Sequence, residues 1–371
     1  MEKRRVAVLF GGQSGEHEVS LASAQAVLKD LDRAKYAVLP VGIDKDGRWL
    51  AGPDALAALL AVADQSRLPP GSRAIGATID NVSELPQPVV PGITRPTVAR
   101  LLPGDIDVVF PVLHGPMGED GTVQGLLELA DIPYVGCGVA ASAVGMDKAL
   151  MKAAFAAVGL PILPWALLRR REWQNAPEAA CERLEAQLRY PMFVKPANMG
   201  SSVGVSKAGD RADLRAALAE AARYDARIVV EQGIAAREIE ISVLGNDDPA
   251  ASVAGEVIPS GEWYDYAAKY LSGASRIIIP APITDPLAQQ VHDLALQAFQ
   301  AIDGAGLARI DFLLDKTSGE LWLNEVNTMP GFTPISMYAK MWAASGLAYP
   351  ALLDRLIELA IERHVARSPT A

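Results

Sequence analysis

Residues 308–312, Ala308-Arg309-Ile310-Asp311-Phe312, and 323–327, Leu323-Asn324-Glu325-Val326-Asn327, are two apolar-rich stretches on either side of a turn, Asp315-Lys316-Thr317-Ser318-Gly319. Their alternation has the period of two expected of strands, so the segment predicts a β-hairpin. With the turn centred on 318, Asp311 faces Glu325 and Arg309 faces Asn327, all four on one face. Directly opposed carboxylates repel unless a cation separates them. Two carboxylates with an amide oxygen suit a hard ion such as Mg²⁺ holding phosphates. The alternative is a solvated hairpin face.

Working outward, the chain opens as strand, glycine loop and helix. Val6–Phe10 is wholly apolar, as in a strand buried on both faces of a parallel sheet. Gly11-Gly12-Gln13-Ser14-Gly15 is the turn, and the helix from Glu18 presents Val19, Ala22, Ala26 and Leu31 on one face. A strand at Tyr36–Ile43 completes a βαβ-like start. The Pro- and Gly-rich stretch from about 64 to 104 reads as irregular surface structure, and a strand returns at 107–113. A second unit carries a helix at 146–158, strands at 192–195, 203–207 and 228–231, and a helix at 213–224. A third carries a strand at 238–244, the hairpin, and an amphipathic helix at 350–364 with Leu353, Leu356, Ile357, Ala360 and Ile361 inward. The expected architecture is α/β, with α+β character in its later part, in three units: 1–140, 141–233 and 234–371.

The chain's 371 residues carry 34 Lys+Arg against 44 Asp+Glu, a formal net charge of −10, which argues against a nucleic-acid partner. Half the residues are hydrophobic, enough for several cores. Two cysteines, Cys137 and Cys181, make neither a disulfide framework nor a zinc site. The first apolar run is too short for a secretory leader, and none reaches the length of a membrane span. A soluble, cytoplasmic protein is expected.

Lys195 ends an apolar strand where a point charge can meet a phosphate, and Gly200-Ser201-Ser202-Val203-Gly204 can cradle anionic oxygens. That turn also fits the serine-hydrolase pattern Gly-x-Ser-x-Gly. It joins two strands, however, where the nucleophile elbow joins strand to helix. Gly136-Cys137-Gly138-Val139-Ala140-Ala141 mimics a dinucleotide fingerprint but lacks the acidic residue about 20 positions on. Glu231 and Glu238 flank a unit junction, where carboxylates can accept hydrogen bonds from ribose or adenine. The aromatic and polar segment from Trp263 to Tyr270, between Gly261 and Gly273, reads as a lid, the alternative being an exposed loop.

Seven ordered motifs then carry a family resemblance. They are Gly11-Gly12…Glu16-His17-Glu18-Val19-Ser20, His114-Gly115…Gly118-Glu119-Asp120-Gly121, Met146-Asp147-Lys148 and Val194-Lys195-Pro196…Gly200-Ser201-Ser202-Val203-Gly204. Tyr264-Asp265-Tyr266…Lys269-Tyr270, Arg309-Ile310-Asp311 and Asn324-Glu325-Val326-Asn327-Thr328…Pro330-Gly331-Phe332-Thr333 follow. Over essentially its whole length the chain resembles the D-alanine–D-alanine ligases of the ATP-grasp superfamily. The resemblance implies an ATP-grasp fold behind a Rossmann-like first domain, and a homodimer. The implied reaction is ligation of two D-alanines through an acyl phosphate, with ATP and two Mg²⁺ ions for which Mn²⁺ can substitute.

By this resemblance Lys148, Lys195 and Lys269 contact phosphates. Glu231, Gln232, Ile234, Glu238 and Asn324 join the nucleotide site; Gln232 stands where some relatives place lysine. Asp311, Glu325 and Asn327 are magnesium ligands, and Arg309 stabilises an oxyanion. Glu16 takes the ammonium of the first D-alanine, with Val19 near its methyl group. Gly331, Ser336 and Met337 hold the second, with His114 nearby as proton shuttle or positioning group. Glu16, Ser201 and Tyr270 form a hydrogen-bonded trio tying loop, turn and lid together. A D-alanine–D-lactate ligase is the alternative within the superfamily, and the intact Tyr-Asp-Tyr…Lys-Tyr pattern favours an amine as nucleophile.

Overall fold

The computed structural model describes residues 3–66, 106–258 and 276–367. The first unit runs β1 (Arg4–Gly11), α1 (His17–Asp30), β2 (Tyr36–Ile43), β3 (Trp49–Ala51), α2 (Ala55–Ser66) and β4 (Val108–Pro111). β1 lies between β2 and β4, parallel to both, and β3 adds antiparallel to β2. Val6 to Phe10 are all 0% exposed, which is why the strand shows no alternation. Gly11 then turns the chain out of the sheet at φ +92°, where a Cβ would lie 2.1 Å from the Ile43 carbonyl oxygen.

Of the face expected to be inward, Leu31 is buried and Ala26 packs against the core, but the rest of the buried face of α1 differs. Ser20, Leu21, Ser23, Ala24, Val27 and Leu28 pack inward, while Val19 and Ala22 border a cavity. Serine can lie on the buried face because each hydroxyl has partners. Ser20 Oγ donates to the Val112 carbonyl at 2.6 Å and accepts from Gly11 N–H at 2.7 Å.

α3 (Thr122–Leu129) follows β4 and packs Val123 and Leu127 against the first sheet. The second unit comprises α4 (Val139–Met146), α5 (Lys148–Ala157), β5 (Trp165–Arg169), α6 (Arg170–Asn175), α7 (Pro177–Gln187), β6 (Met192–Pro196), β7 (Ser206–Ala208), α8 (Arg211–Tyr224) and β8 (Arg227–Gln232). The helix expected over 146–158 is α5, which starts at Lys148 just after α4 ends at Met146, with Asp147 between them. Its carboxylate caps α5, accepting from Ala149 and Leu150 N–H. The strand expected over 203–207 shortens to β7, since Gly200–Gly204 is turn. The antiparallel order is β5-β8-β6-β7, and α7 and α8 cover one face through Leu184, Leu214 and Leu218.

The third unit holds β9 (Ala236–Gly245), β10 (Ala250–Ala251), β11 (Gly255–Ile258), β12 (Arg276–Ile278), α9 (Asp285–Ala301), β13 (Gly306–Asp315), β14 (Leu321–Asn327), α10 (Met337–Ala344) and α11 (Tyr349–Arg367). Its antiparallel order is β12-β11-β9-β13-β14, with β10 also on β9. Ile239, Ile241, Ile310 and Phe312 share a core with Phe155 of α5 and Phe299 of α9, leaving the opposite sheet face to polar residues. α11 returns to the first sheet, where Leu352, Leu353, Leu356 and Ile357 pack with Val6, Val8, Phe10 and Val108. Each such side chain contributes about 2 kcal/mol by burial, so this helix fastens the end of the chain to its beginning.

Residues 67–105 lie outside the described residues, and with them most of the stretch read as irregular; residues 64–66 belong to α2. Cys137 and Cys181 are buried free thiols.

Candidate active site

The polar face of the third sheet, the inner edge of the second and the loops at the top of the first surround a cavity of about 1010 Å³. Every described residue singled out from the sequence lines it, from Glu16 and Val19 to Ser336 and Met337. Lys269, Tyr270 and the rest of the aromatic segment lie outside the described residues.

Glu16 sits just before α1, 9% exposed, and accepts a hydrogen bond from Ser201 Oγ. A Cβ at Gly115 or at Gly200 would lie 2.7 Å from its Oε2, so both backbones run close beside the carboxylate. Ser201 and Ser202 adopt φ +49° and +58°, a left-handed conformation costly for serine and typical of functional turns. His114 is buried at the other side of this group. Its Nδ1 lies 3.0 Å from the Met329 carbonyl and therefore carries a proton, and Nε2 lies 3.1 Å from Ser23 Oγ. Burial opposes the imidazolium, but the carboxylates of Glu119, at 3.7 Å, and Glu16 outweigh it and raise the pKa above the ordinary value.

Across the cavity, Lys148 Nζ donates to the Met199 carbonyl at 2.7 Å, tying α5 to the Ser turn. Lys195 Nζ lies 2.9 Å from Glu231 Oε2, and Lys152 Nζ 3.2 Å from Glu231 Oε1. Burial disfavours the Glu231 carboxylate, but the two ammoniums overcome this and hold its pKa at about 2. Both of its oxygens are thus engaged by lysines. Gln232 Oε1 accepts from Arg189 N–H at 3.3 Å. Glu238 and Ile234 line the cavity where β8 gives way to β9.

On the hairpin, Asp311 pairs with Glu325 and Arg309 with Asn327. β9 adds Glu240 opposite Asp311, so three carboxylates stand in one row across three strands. Arg309 meets both Asp311 oxygens at 2.7 Å and Glu240 Oε2 at 3.1 Å, and Asn327 Nδ2 donates to Asp311 at 2.9 Å. Among the described residues no three His, Cys, Asp or Glu side chains form a metal site by themselves. The oxygen donors Asp311, Glu325 and Asn327 do fit Mg²⁺, which completes its shell with water and substrate phosphates. The Asn327 bond uses the amide nitrogen and so spares the oxygen. Beyond the hairpin, Ser336 stands at the N-cap position of α10 with its Oγ turned to Thr333 Oγ1 at 2.7 Å, beside Gly331. A helix N-terminus there favours a carboxylate.

A family model described as D-ala D-ala ligase N-terminus matches residues 5–137, and one described as D-ala D-ala ligase C-terminus matches residues 154–358. The chain belongs to the D-alanine–D-alanine ligase family. A D-alanine–D-alanine ligase of Heliobacterium modesticaldum is 52% identical over 364 residues, covering 98% of this chain and 96% of that protein. Among solved structures, the D-alanine–D-alanine ligase of Coxiella burnetii matches at TM-score 0.79 and 38% identity, over 99% of this chain and 96% of that one. The VanG D-Ala:D-Ser ligase of Enterococcus faecalis matches at TM-score 0.80 and 34% identity, over 97% and 100%. The α/β architecture expected from the sequence is thus that of the ligase family. Among the described residues no helix is long and apolar enough to cross a membrane.

Sequence reasoning missed Lys152, Glu240, Ser23 and Glu119 as members of this ligase site. Lys152 was legible as the residue one turn after Lys148 in an otherwise apolar helix face, and Glu240 as the period-two partner of Glu238. Ser23 carried no signal without the α1 orientation.

Proposed function

We propose that the chain joins two D-alanines at the cavity between its three sheets, consuming ATP and releasing ADP and phosphate, to supply D-alanyl-D-alanine for peptidoglycan. The observation that carries this reading is the convergence on one cavity of Glu16, the lysines Lys148 and Lys195, and the oxygen donors of the hairpin. A carboxylate resists amine attack. A carboxylate oxygen of the first D-alanine therefore takes the γ-phosphoryl group, breaking the β–γ P–O bond and expelling ADP. The amine of the second then attacks the acyl carbon, and phosphate leaves with that carboxylate oxygen.

Glu16 binds the first ammonium, with Val19 against the methyl group. Lys148 and Lys195, joined by Lys269, hold the phosphates. Arg309 supports the tetrahedral oxyanion, while Ser336, Met337 and Gly331 seat the second carboxylate. Glu231, Gln232, Ile234, Glu238 and Asn324 surround the nucleoside. Asp311, Glu325 and Asn327 would hold Mg²⁺, or Mn²⁺ in its place, which supplies neutralisation of phosphate charge. Tyr270 completes the trio with Glu16 and Ser201. The units fall at 1–140, 141–233 and 234–371, in a cytoplasmic homodimer.

ADP release measured with D-alanine, L-alanine, D-lactate and D-serine, with and without Mg²⁺, tests this. D-Alanine alone should support release, and only with the metal. No D-alanine-dependent ADP would overturn it, and preference for D-lactate or D-serine as acceptor would move the chain to the neighbouring specificity.

A further inference from the structure

Lys152 belongs to none of the motifs that carry the family resemblance, yet it is among the most deeply buried charges described. Its side chain is 1% exposed, against 15% for Lys195. The two ammoniums grip opposite oxygens of one carboxylate, Glu231 Oε1 and Oε2, itself 4% exposed. A Lys195–Glu231 pair alone would be neutral, and a neutralised ammonium is a weak anchor for a polyanion. Burial draws the Lys152 pKa below the ordinary lysine value while Glu231 holds it up; with both lysines protonated the triad carries one net positive charge, presented to the cavity through Lys195, which lines it. In so buried a setting a unit charge acts over several ångströms with little screening.

We infer that Lys152 is a positioning residue that sets the strength of the phosphate site, by balancing Glu231 so that Lys195 keeps its charge for the nucleotide. This rests on the assignment of Lys195 to phosphate, and the two are separable. The experiment is equilibrium binding of ATP, ADP, AMP and adenosine to the full chain, with Mg²⁺ constant, for wild type, Lys152→Met, Lys195→Met and Lys152→Met/Glu231→Gln.

Lys152→Met should weaken ATP and ADP roughly tenfold or more while adenosine changes less than about twofold. In the double variant the loss of one charge of each sign restores the net positive charge, so the ATP-to-adenosine affinity ratio should return to near the wild-type value. A purely structural role would weaken all four ligands alike and would not be reversed by removing Glu231's charge. Either result overturns the inference. Lys195→Met is the arbiter: if it leaves the ATP-to-adenosine ratio unchanged, the phosphate assignment of Lys195 itself fails. If Lys152→Met does not fold, Lys152→Gln takes its place, keeping a donor to Glu231 without the charge.

Discussion

Asp311 and Glu325 face each other because Asn324 bulges from the ladder: Asp311 pairs with Glu325, yet the next rung joins Phe312 to Leu323. Without the extra residue Asp311 would stand opposite Asn324. The bulge also sets Asn324 and Glu325 side by side on the cavity wall, a common use of bulges beside active sites. Glu325→Gln, which keeps shape but removes one of the opposed charges, should therefore lower turnover by about two orders of magnitude. It should also weaken Mn²⁺ binding followed by electron paramagnetic resonance without turnover. Unchanged Mn²⁺ binding would remove Glu325 from the metal site.

Ser201 and Glu16 join the second unit to the first across the cavity. Ser201→Ala removes a hydrogen bond to a charged group, a loss of about 2 kcal/mol. Initial-rate kinetics should show this as roughly a thirtyfold fall in kcat/KM for D-alanine. A drop in stability with kinetics intact would reduce the contact to a structural tie.

The Glu231 carboxyl gives a pH signature. Its folded pKa of about 2 lies below the ordinary carboxylate value of 4.5, so the folded state binds its proton more weakly than the unfolded chain does. The associated stability is present above pH 4.5 and is lost as pH falls from there toward 2. It amounts to on the order of 3 kcal/mol. Urea titrations of wild type and Glu231→Gln should show a stability gap near neutrality that closes on acidification. A gap independent of pH would contradict the ionised triad.

His114 runs the other way. With its pKa raised above 6.5 in the folded protein, its stabilising protonation is fully present below about pH 6.5 and fades as pH rises through the folded value. The stability difference between wild type and His114→Asn should shrink steadily on the alkaline side, measured by denaturant unfolding from pH 6 to 9. A difference that grows with pH would mean that the buried ring is neutral.

Residues whose role rests on local pattern were legible in the sequence. Strand β2 falls on the expected Tyr36–Ile43, and the period-two alternation around Asp311 put the four hairpin residues on one face. The pairing was right even though the turn centre was misplaced. Beyond the bulge, Leu314 pairs with Leu321, so the turn centres half a residue earlier than 318. What local pattern does not carry is the environment that tertiary packing creates. The face of α1 was legible only at Ala26 and Leu31, because Ser20 and Ser23 count as polar until the Val112 carbonyl and His114 stand against them. For Lys152 the sequence offers only its place one turn after Lys148; its burial and its pairing with Glu231 come from packing. The two lysine partners of Glu231 are invisible in the sequence for the same reason.

The most direct test of the chemistry follows one oxygen. With D-alanine labelled with ¹⁸O in its carboxylate, reaction through an acyl phosphate transfers one labelled oxygen to the released phosphate for each dipeptide formed. Mass spectrometry of that phosphate is expected to find one ¹⁸O per turnover, dependent on both ATP and D-alanine. Unlabelled phosphate released together with D-alanyl-D-alanine would contradict the acyl-phosphate route.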